Sequence, residues 1–366
     1  MSPERSEERL VAWLRALTTT PGTARHGSRD VRGSLIGDDT ATLPRQQVVT
    51  IDQQIEGVHF AAGLDPAVVA RRLLAVNLSD LAASGARPRY AFLALAAPGD
   101  FDHRRFFRAL IRGCGDFGVV LAGGDLALAA RLHLSMTLIG ERRRGEATLA
   151  RDCALPGQRL WVGGSLGESA LGRELVRRGA RLRGTRVELP AFFSVKGKLR
   201  AAATCAVRRH LLPSPQLELG AWLAKRKGVK GAAIDISDGL AKDLHRLCAA
   251  SGVGARLDGA ALRAAGPADF DDLAEALRLD PDRLRESGGE DYVLLFTLPK
   301  RTSPPGRFGA FAIGTVTRAG TIVVDDSELG PRLLGAGGWD HLRAGRAASG
   351  DGGGDRGDPP ERRRRS

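Results

Sequence analysis

The sequence is poor in cysteine and aromatic residues and has no long hydrophobic run. Its four cysteines lie far apart and form no CxxC pair, which argues against a zinc knuckle and against a disulfide framework. No stretch approaches the roughly 18 consecutive apolar residues of a membrane span, and the mixed charges of "MSPERSEERL" are unlike a signal peptide. These absences predict a globular, cytoplasmic protein that has no membrane partner.

Positive charge is in excess, with a formal net charge of +13. Clustered lysine and arginine side chains are one signature of nucleic-acid binding. Here the arginines lie in separate segments without interleaved aromatic residues, as in "ERRRGEATLAR" and "RRGARLRGTR". We interpret them as solvated surface, with some contribution from an anionic small-molecule ligand, and we predict no nucleic-acid partner.

The chain of 366 residues is long for one hydrophobic core, so we predict two domains and a tail. Residues 1–149 form the first domain, and residues 150–346, with an early turn at Pro156 and Gly157, form the second. Residues 347–366 lack apolar anchors, which predicts a disordered basic tail. The predicted elements of the first domain are helices at 8–17, 66–85 and 102–118 and strands at 41–43, 47–52, 90–96, 119–125 and 132–141.

Aspartates recur at the ends of apolar runs, often with a glycine beside them. Taken singly, each has an ordinary explanation, such as a turn or, for Asp80, a solvated helix face. Taken together, they lie on separate predicted elements and without neighbouring lysines, a setting typical of Mg²⁺ ions that share phosphate oxygens. The aspartates of this pattern are Asp38, Asp39, Asp52, Asp80, Asp125, Asp235 and Asp238.

The stretch "AAIDISDGLAKDL" shows the problem most sharply, because Asp235 and Asp238 end a buried strand with no evident counter-charge. Repulsion between two such carboxylates raises at least one pKa unless cations intervene.

Other indications of a ligand site are weaker. The turn "VGGSLGESALG" resembles a phosphate-binding loop but lacks the Lys-Ser/Thr ending of a P-loop. Glu290 and Asp291 precede an apolar strand, which places both at the mouth of a site.

Seven motifs follow one another along the chain: "GDDTATL", "DQQIEGVHF", "LAVNLSDLAASGARPRY", "LAGGD", "IDISDGLAKDL", "SGGEDYVLLF" and "GWDHL". In this order they resemble the motifs of the thiamine-monophosphate kinase family, in the aminoimidazole ribonucleotide synthetase-like superfamily. The resemblance extends over about residues 33–342.

The resemblance implies a two-domain α+β fold, in which the N-terminal sheets form a barrel across a homodimer interface and the C-terminal domain is α/β. It also implies ATP-dependent phosphorylation of thiamine monophosphate to thiamine diphosphate with several Mg²⁺ ions. By motif match, the metal ligands would be Asp39, Thr50, Asp52, Asp80, Asp125, Asp235 and Asp238. The ATP contacts would be Gly124, Asp125, Arg151 and Ser237, and the thiamine side would be bound by His59, Glu290 and Trp339.

The chemistry explains why carboxylates dominate. The attacking phosphate oxygen is already ionised at neutral pH, so direct in-line transfer needs charge neutralisation and no catalytic base or nucleophile. Four positions depart from the family pattern. Ile51 replaces a threonine beside Asp52, which predicts one oxygen ligand fewer, and Leu126 replaces a threonine after Asp125. Leu212 and Gln216 stand where arginines are common. The alternatives are a superfamily enzyme with another phosphorylated or nitrogen substrate and a weakly active nucleotide or thiamine-phosphate binder.

Overall fold

Two β-sheets, one in each half of the chain, organise the fold. It is described by a computed structural model for residues 7–18, 38–43, 46–146, 149–191, 193, 196–226, 231–327 and 330–339. The predicted tail, residues 347–366, lies outside these ranges. The helices are α1 (Glu7–Thr18), α2 (Pro66–Ala83), α3 (His103–Asp116), α4 (Glu168–Arg177), α5 (Gly197–Leu211), α6 (Leu217–Ala224), α7 (Leu240–Ser251), α8 (Gly259–Ala264), α9 (Phe270–Ala276) and α10 (Pro281–Ser287). The strands are β1 (Ala41–Leu43), β2 (Gln47–Ile55), β3 (Arg87–Ala97), β4 (Val120–Leu128), β5 (His133–Glu141), β6 (Arg159–Val162), β7 (Arg181–Arg183), β8 (Arg186–Glu188), β9 (Ala233–Asp235), β10 (Gly254–Asp258), β11 (Leu294–Leu298), β12 (Phe311–Thr317), β13 (Ile322–Asp325) and β14 (Arg332–Leu333).

The N-terminal sheet has five strands in the order β1-β2-β5-β3-β4. Strands β3 and β4 are parallel and the other neighbours are antiparallel. Alternating residues of the sheet, such as Leu134, Met136 and Leu138, are buried in the core beneath α2 and α3. The opposite face is not covered by described residues, and it carries exposed apolar side chains such as Tyr90 and Phe92.

Helix α2 lies between the two sheets and is buried along most of its length. Its start follows from the sequence, because Asp65 accepts a hydrogen bond from the Ala67 N–H at 2.9 Å and Pro66 occupies the first turn. The chain leaves the helix through Gly85, whose φ is +69° and where a Cβ would lie 2.7 Å from the Ala224 Cβ. Only glycine satisfies both the backbone angle and this close approach.

The C-terminal sheet has seven strands in the order β14-β13-β10-β12-β6-β11-β9. Its core combines strand residues such as Ile234 and Leu295 with Leu240 and Leu244 of α7. Strand β9 is an edge strand and packs against α2, so the carboxyl end of β9 lies beside the N-terminal half. A separate hairpin consists of β7 and β8.

The predicted α+β class is confirmed, and the predicted strands of the first half are present with small differences. Strand β2 continues three residues past Asp52, and β3 begins at Arg87 instead of Tyr90, because pairing with β5 extends along both strands. The five-stranded sheet is open, with β1 and β4 as its edges among the described residues. Within the same residues, no helix is both long enough and apolar enough to cross a lipid bilayer.

Candidate active site

A cleft of about 580 Å³ lies between the two halves of the chain. It is lined by β2 and the loop that follows it, by α2, by the turn after β9 and by the segment before β11. All the predicted site residues except Gly124 and Asp125 line this cleft. The lining members are Asp39, Thr50, Asp52, His59, Asp80, Arg151, Asp235, Ser237, Asp238, Glu290 and Trp339.

The centre of the cleft is an acidic cluster drawn from both halves. One carboxylate oxygen from each of Asp39, Asp80 and Asp235 lies within 4.8 Å of the others. The Thr50 hydroxyl donates a hydrogen bond to Asp80 Oδ2 at 2.5 Å. Burial and the neighbouring carboxylates raise the pKa of Asp80 and of Asp235 well above the ordinary range. Asp80 therefore belongs to this cluster, and the explanation as a solvated helix face is wrong.

Asp52 interacts electrostatically with the acidic cluster. Burial, followed by repulsion from Asp238 and Asp39, raises the pKa of Asp52 to about 7. Its backbone N–H donates to Asn77 Oδ1 at 3.1 Å, which ties β2 to α2. A cation bound beside these carboxylates would offset the repulsion between them and the cost of their burial.

Strand periodicity explains which side chains of β2 reach the cluster. Thr50 and Asp52 face α2, whereas Ile51 between them points to the opposite face and is 63% exposed. Ile51 nevertheless borders the cleft, so the expectation that it provides one oxygen ligand fewer than a threonine stays a prediction. A threonine at this position would also point away from α2.

The turn after β9 is held by an aspartate that the motif analysis did not single out. Asp243 Oδ2 accepts hydrogen bonds from the backbone N–H groups of Ser237, Asp238 and Gly239 at 3.1, 3.0 and 3.2 Å. Asp243 is fully buried, and Arg246 Nη1 lies 3.0 Å from its Oδ1. This anchor fixes the backbone on which Ser237 and Asp238 face the cleft.

Asp238 and Asp39 have positively charged partners, which the sequence did not lead us to expect. Asp238 Oδ2 lies 2.9 Å from Lys242 Nζ and 2.7 Å from Arg246 Nη1. On the other wall, Arg151 forms ion pairs with Asp39 and with Asp38, the latter at 3.6 Å. Lys242 follows Asp238 by four residues, the spacing that brings side chains together on a helix, so the sequence did contain this signal.

Three predicted substrate residues occupy other parts of the cleft wall. His59 Nδ1 accepts a hydrogen bond from the Ile55 N–H at 3.0 Å, which places the ring proton of a neutral imidazole on Nε2. The Trp339 backbone N–H donates to the Asp238 carbonyl at 3.1 Å, and 40% of the residue is exposed. Glu290 has a left-handed backbone (φ 61°) and contacts Arg72, a buried residue of α2.

Gly124 and Asp125 lie elsewhere, on the exposed edge strand β4. They border a second cavity of about 340 Å³ that also contacts Phe107 of α3. The structure of one chain therefore does not bring Asp125 to the acidic cluster, although the motif match predicts it there.

Two N–H groups at the start of α4, after the glycine-rich turn, already have an acceptor within the protein. The N–H groups of Gly167 and Ser169 donate to the buried carboxylate of Asp291 at 2.7 and 3.1 Å. Asp291 thus caps α4 from within the protein, and the position predicted for it at the mouth of the site is wrong. Glu290, its neighbour, lines the cleft as predicted.

The donor set fits a divalent, oxygen-loving cation. Asp39, Asp52, Asp80 and Asp235 contribute carboxylate oxygens and Thr50 adds a hydroxyl, which are ligands that Mg²⁺ prefers. Burial and mutual repulsion raise the pKa values of Asp52, Asp80 and Asp235, and a bound cation would offset both effects.

Comparison with known proteins gives one consistent group of relatives. Residues 37–141 match the family profile "AIR synthase related protein, N-terminal domain". The thiamine-monophosphate kinase of Escherichia coli (strain K12) is 37% identical over 281 residues, which cover 72% of this chain and 76% of that protein. The enzyme of the same name from Aquifex aeolicus is 28% identical and covers 86% of this chain and 95% of its own length.

A solved structure described as "AaThiL complexed with AMPPCP and TMP" has the same fold. Its TM-score with this chain is 0.76 at 26% identity, and the alignment covers 93% of this chain and 98% of that one.

Proposed function

The chain belongs to the thiamine-monophosphate kinase family, and from this premise we propose that it transfers the γ-phosphoryl group of ATP directly to thiamine monophosphate and forms thiamine diphosphate. The observation that carries the proposal is the acidic cluster, in which carboxylates from both halves converge within 4.8 Å. A kinase whose two substrates are polyanions needs such a centre, because bringing the phosphates together requires charge neutralisation.

Asp39, Thr50, Asp52, Asp80 and Asp235 would hold Mg²⁺. When bound there, Mg²⁺ supplies the positive charge that offsets phosphate repulsion and the charge of the transition state. The residues themselves need not move a proton, since the acceptor phosphate is ionised at neutral pH. Their task is to fix the positions of donor and acceptor in line, which the buried strand and helix supports allow.

The nucleotide side of the cleft is proposed to lie at Ser237 and Arg151. Asp243 holds the backbone around Ser237, so the Ser237 hydroxyl could contact the nucleotide without rearrangement of the turn. Arg151 is already paired with Asp39, and nucleotide phosphates would compete for the same guanidinium. His59, Glu290 and Trp339 remain the proposed contacts of the thiamine moiety.

We further propose a homodimer in which the open faces of two N-terminal sheets form a barrel. The open face is apolar, with Ile51, Tyr90 and Phe92 63%, 47% and 41% exposed. Strand β4 is an edge strand among the described residues, paired with β3 on one side only. Such a surface favours association, because it leaves both apolar area and backbone groups uncovered. In such a dimer, β4 of one copy could bring Asp125 to the cleft of the other copy, since Asp125 does not reach the cleft of its own chain. A cytoplasmic location stays a prediction.

The decisive experiment incubates the purified protein with ATP, MgCl₂ and thiamine monophosphate and follows thiamine diphosphate by chromatography. We expect product only when both substrates and Mg²⁺ are present. ATP binding without product would overturn the kinase proposal and favour the alternative of a binding protein. Phosphorylation of another acceptor, with none of thiamine monophosphate, would instead favour another enzyme of the superfamily.

A further inference from the structure

A buried arginine, Arg72 on α2, connects the two halves of the chain beside the cleft. It is 1% exposed, and its guanidinium donates in three directions. Nε donates to Gln54 Oε1 of β2 at 3.1 Å, Nη1 donates to the carbonyl of His210 on α5, and Nη2 donates to Glu290 Oε1. The planar fork is therefore fixed by partners on three separate segments.

The other oxygen of Glu290 is held less tightly. Its Oε2 has longer contacts, 3.4 Å to His210 Nδ1 and 3.6 Å to Arg173 Nη1, and Glu290 lines the cavity. The Glu290 N–H donates to the Ser237 carbonyl at 2.7 Å, which holds its left-handed backbone against the β9 turn. Both the backbone and Oε1 of Glu290 are thus held by short contacts, and Oε2 is the less tightly held oxygen of a residue that lines the cleft.

The surroundings keep this carboxylate ionised. Burial alone would raise its pKa, but the charges of Arg72 and Arg173, with His210 and His59 nearby, outweigh burial and lower the pKa of Glu290 to about 2. Burial lowers the pKa of His210 to about 3, so this ring is neutral at physiological pH. An ionised carboxylate only accepts hydrogen bonds, so the ligand group that it contacts must be a donor.

We propose that Arg72 is a positioning residue, which orients Glu290 so that Oε2 accepts a hydrogen bond from the amino group of the substrate's pyrimidine ring. This inference rests on the proposed function. Thiamine monophosphate offers only one N–H donor group, that amino group, so the chemistry of Glu290 selects the end of the substrate that it binds. A site that holds an ionised acceptor rejects an analogue without the donor, because its buried oxygen is then left unpaired.

The test compares Arg72→Met with Arg71→Met, its exposed neighbour on the same helix, as a matched control. For Arg72→Met we expect the KM for thiamine monophosphate to rise about tenfold or more, because Glu290 loses its orientation, and the KM for ATP to change less than about twofold. The pKa of Glu290 should also rise towards its ordinary value, so the KM for thiamine monophosphate should increase further as the pH falls from 7 to 5. The wild type and Arg71→Met should lack this additional increase.

A second readout uses an analogue of thiamine monophosphate that lacks the pyrimidine amino group. The wild type should prefer the natural substrate by about tenfold or more, and Arg72→Met should lose most of that preference. If Arg72→Met does not fold, Glu290→Gln replaces it, because the amide retains the side-chain volume but not the ionised acceptor. That variant should show the same loss of preference.

The outcomes separate this inference from the function beneath it. Equal effects of Arg72→Met on the KM of both substrates, or an unchanged preference against the analogue, would overturn the role of Arg72 and leave the kinase intact. A wild type that forms no thiamine diphosphate would overturn the proposed function itself.

Discussion

Replacement of Asp52 by asparagine offers a direct test of the acidic cluster, independent of turnover. Burial and the neighbouring carboxylates raise the pKa of Asp52 from 3.8 to about 7. The folded protein therefore binds the Asp52 proton more tightly than the unfolded chain does, and stability is lost as the pH rises from about 4 to about 7. Above pH 7 the full cost applies, and asparagine, which cannot ionise, avoids it.

The magnitude follows from the shift. A difference of about 3 pKa units at about 1.36 kcal/mol each gives at most about 4 kcal/mol at pH 8. At roughly 2 °C per kcal/mol for a chain of this size, the midpoint of thermal unfolding should rise by up to about 8 °C in EDTA. At pH 5 the wild type and Asp52→Asn should differ much less, because the wild-type carboxyl is protonated in the folded state.

The assay is thermal unfolding at pH 5 and pH 8, each with EDTA and with MgCl₂. Mg²⁺ should stabilise the wild type at pH 8 and should stabilise Asp52→Asn less, since the variant lacks one ligand. Asp102→Asn is the control, because Asp102 is an exposed cap of α3 that asparagine also satisfies, and it should change neither response. If Asp52→Asn unfolds earlier than the wild type in EDTA at pH 8, or if it responds equally to Mg²⁺, the cluster is not a cation site that includes Asp52.

Three further predictions follow from the described contacts. Asp80→Asn should lower thiamine diphosphate formation at least about a hundredfold with an unchanged circular dichroism spectrum, and near-normal turnover would remove Asp80 from the site. Leu126→Lys, on the exposed edge strand β4, should convert the dimer to monomer in light scattering, and a wild type that is itself monomeric would contradict the dimer proposal. Asp291→Ala should cost about 2–4 kcal/mol in urea unfolding at pH 5, because the N–H groups of Gly167 and Ser169 lose their acceptor. At pH 8 the cost should be smaller, because burial raises the pKa of Asp291 to about 7 and the variant avoids an ionised buried carboxylate. Asp291→Asn should recover part of that loss, and equal stability of the alanine variant would show that the α4 cap contributes little.

Local chemistry made much of the fold predictable. The cap at Asp65, the proline at the first helical position and the glycine at residue 85 defined α2 within two residues of its observed ends. The expectation of aspartates at the ends of elements holds for Asp235, the last residue of β9, but Asp52 and Asp125 lie within β2 and β4, and Asp80 lies within α2. Strand periodicity could have placed Ile51 on the open face as well, since side chains alternate along β2.

Other features depend on contacts that no local pattern contains. Arg72 and Glu290 are separated by 218 positions, so their pairing requires the complete fold. Asp291 could not be distinguished from Glu290 by sequence, although the left-handed backbone at Glu290 sends one side chain to the cleft while its neighbour caps α4. For Asp125 the motif match predicts a position in the acidic cluster, but in the fold of one chain this residue lies on β4, outside the cleft.

Helix α2 fixes a distance that bears on the proposed reaction. Arg72, which holds Glu290, and Asp80, in the acidic cluster, are eight residues apart on one uninterrupted helix. At a rise of about 1.5 Å per residue, that interval is about 12 Å along the axis. This one helix therefore sets the distance between the pocket proposed for the pyrimidine ring and the proposed place of phosphoryl transfer. On these proposals, an acceptor that is shorter or longer than thiamine monophosphate would place its phosphate out of line with the donor phosphate.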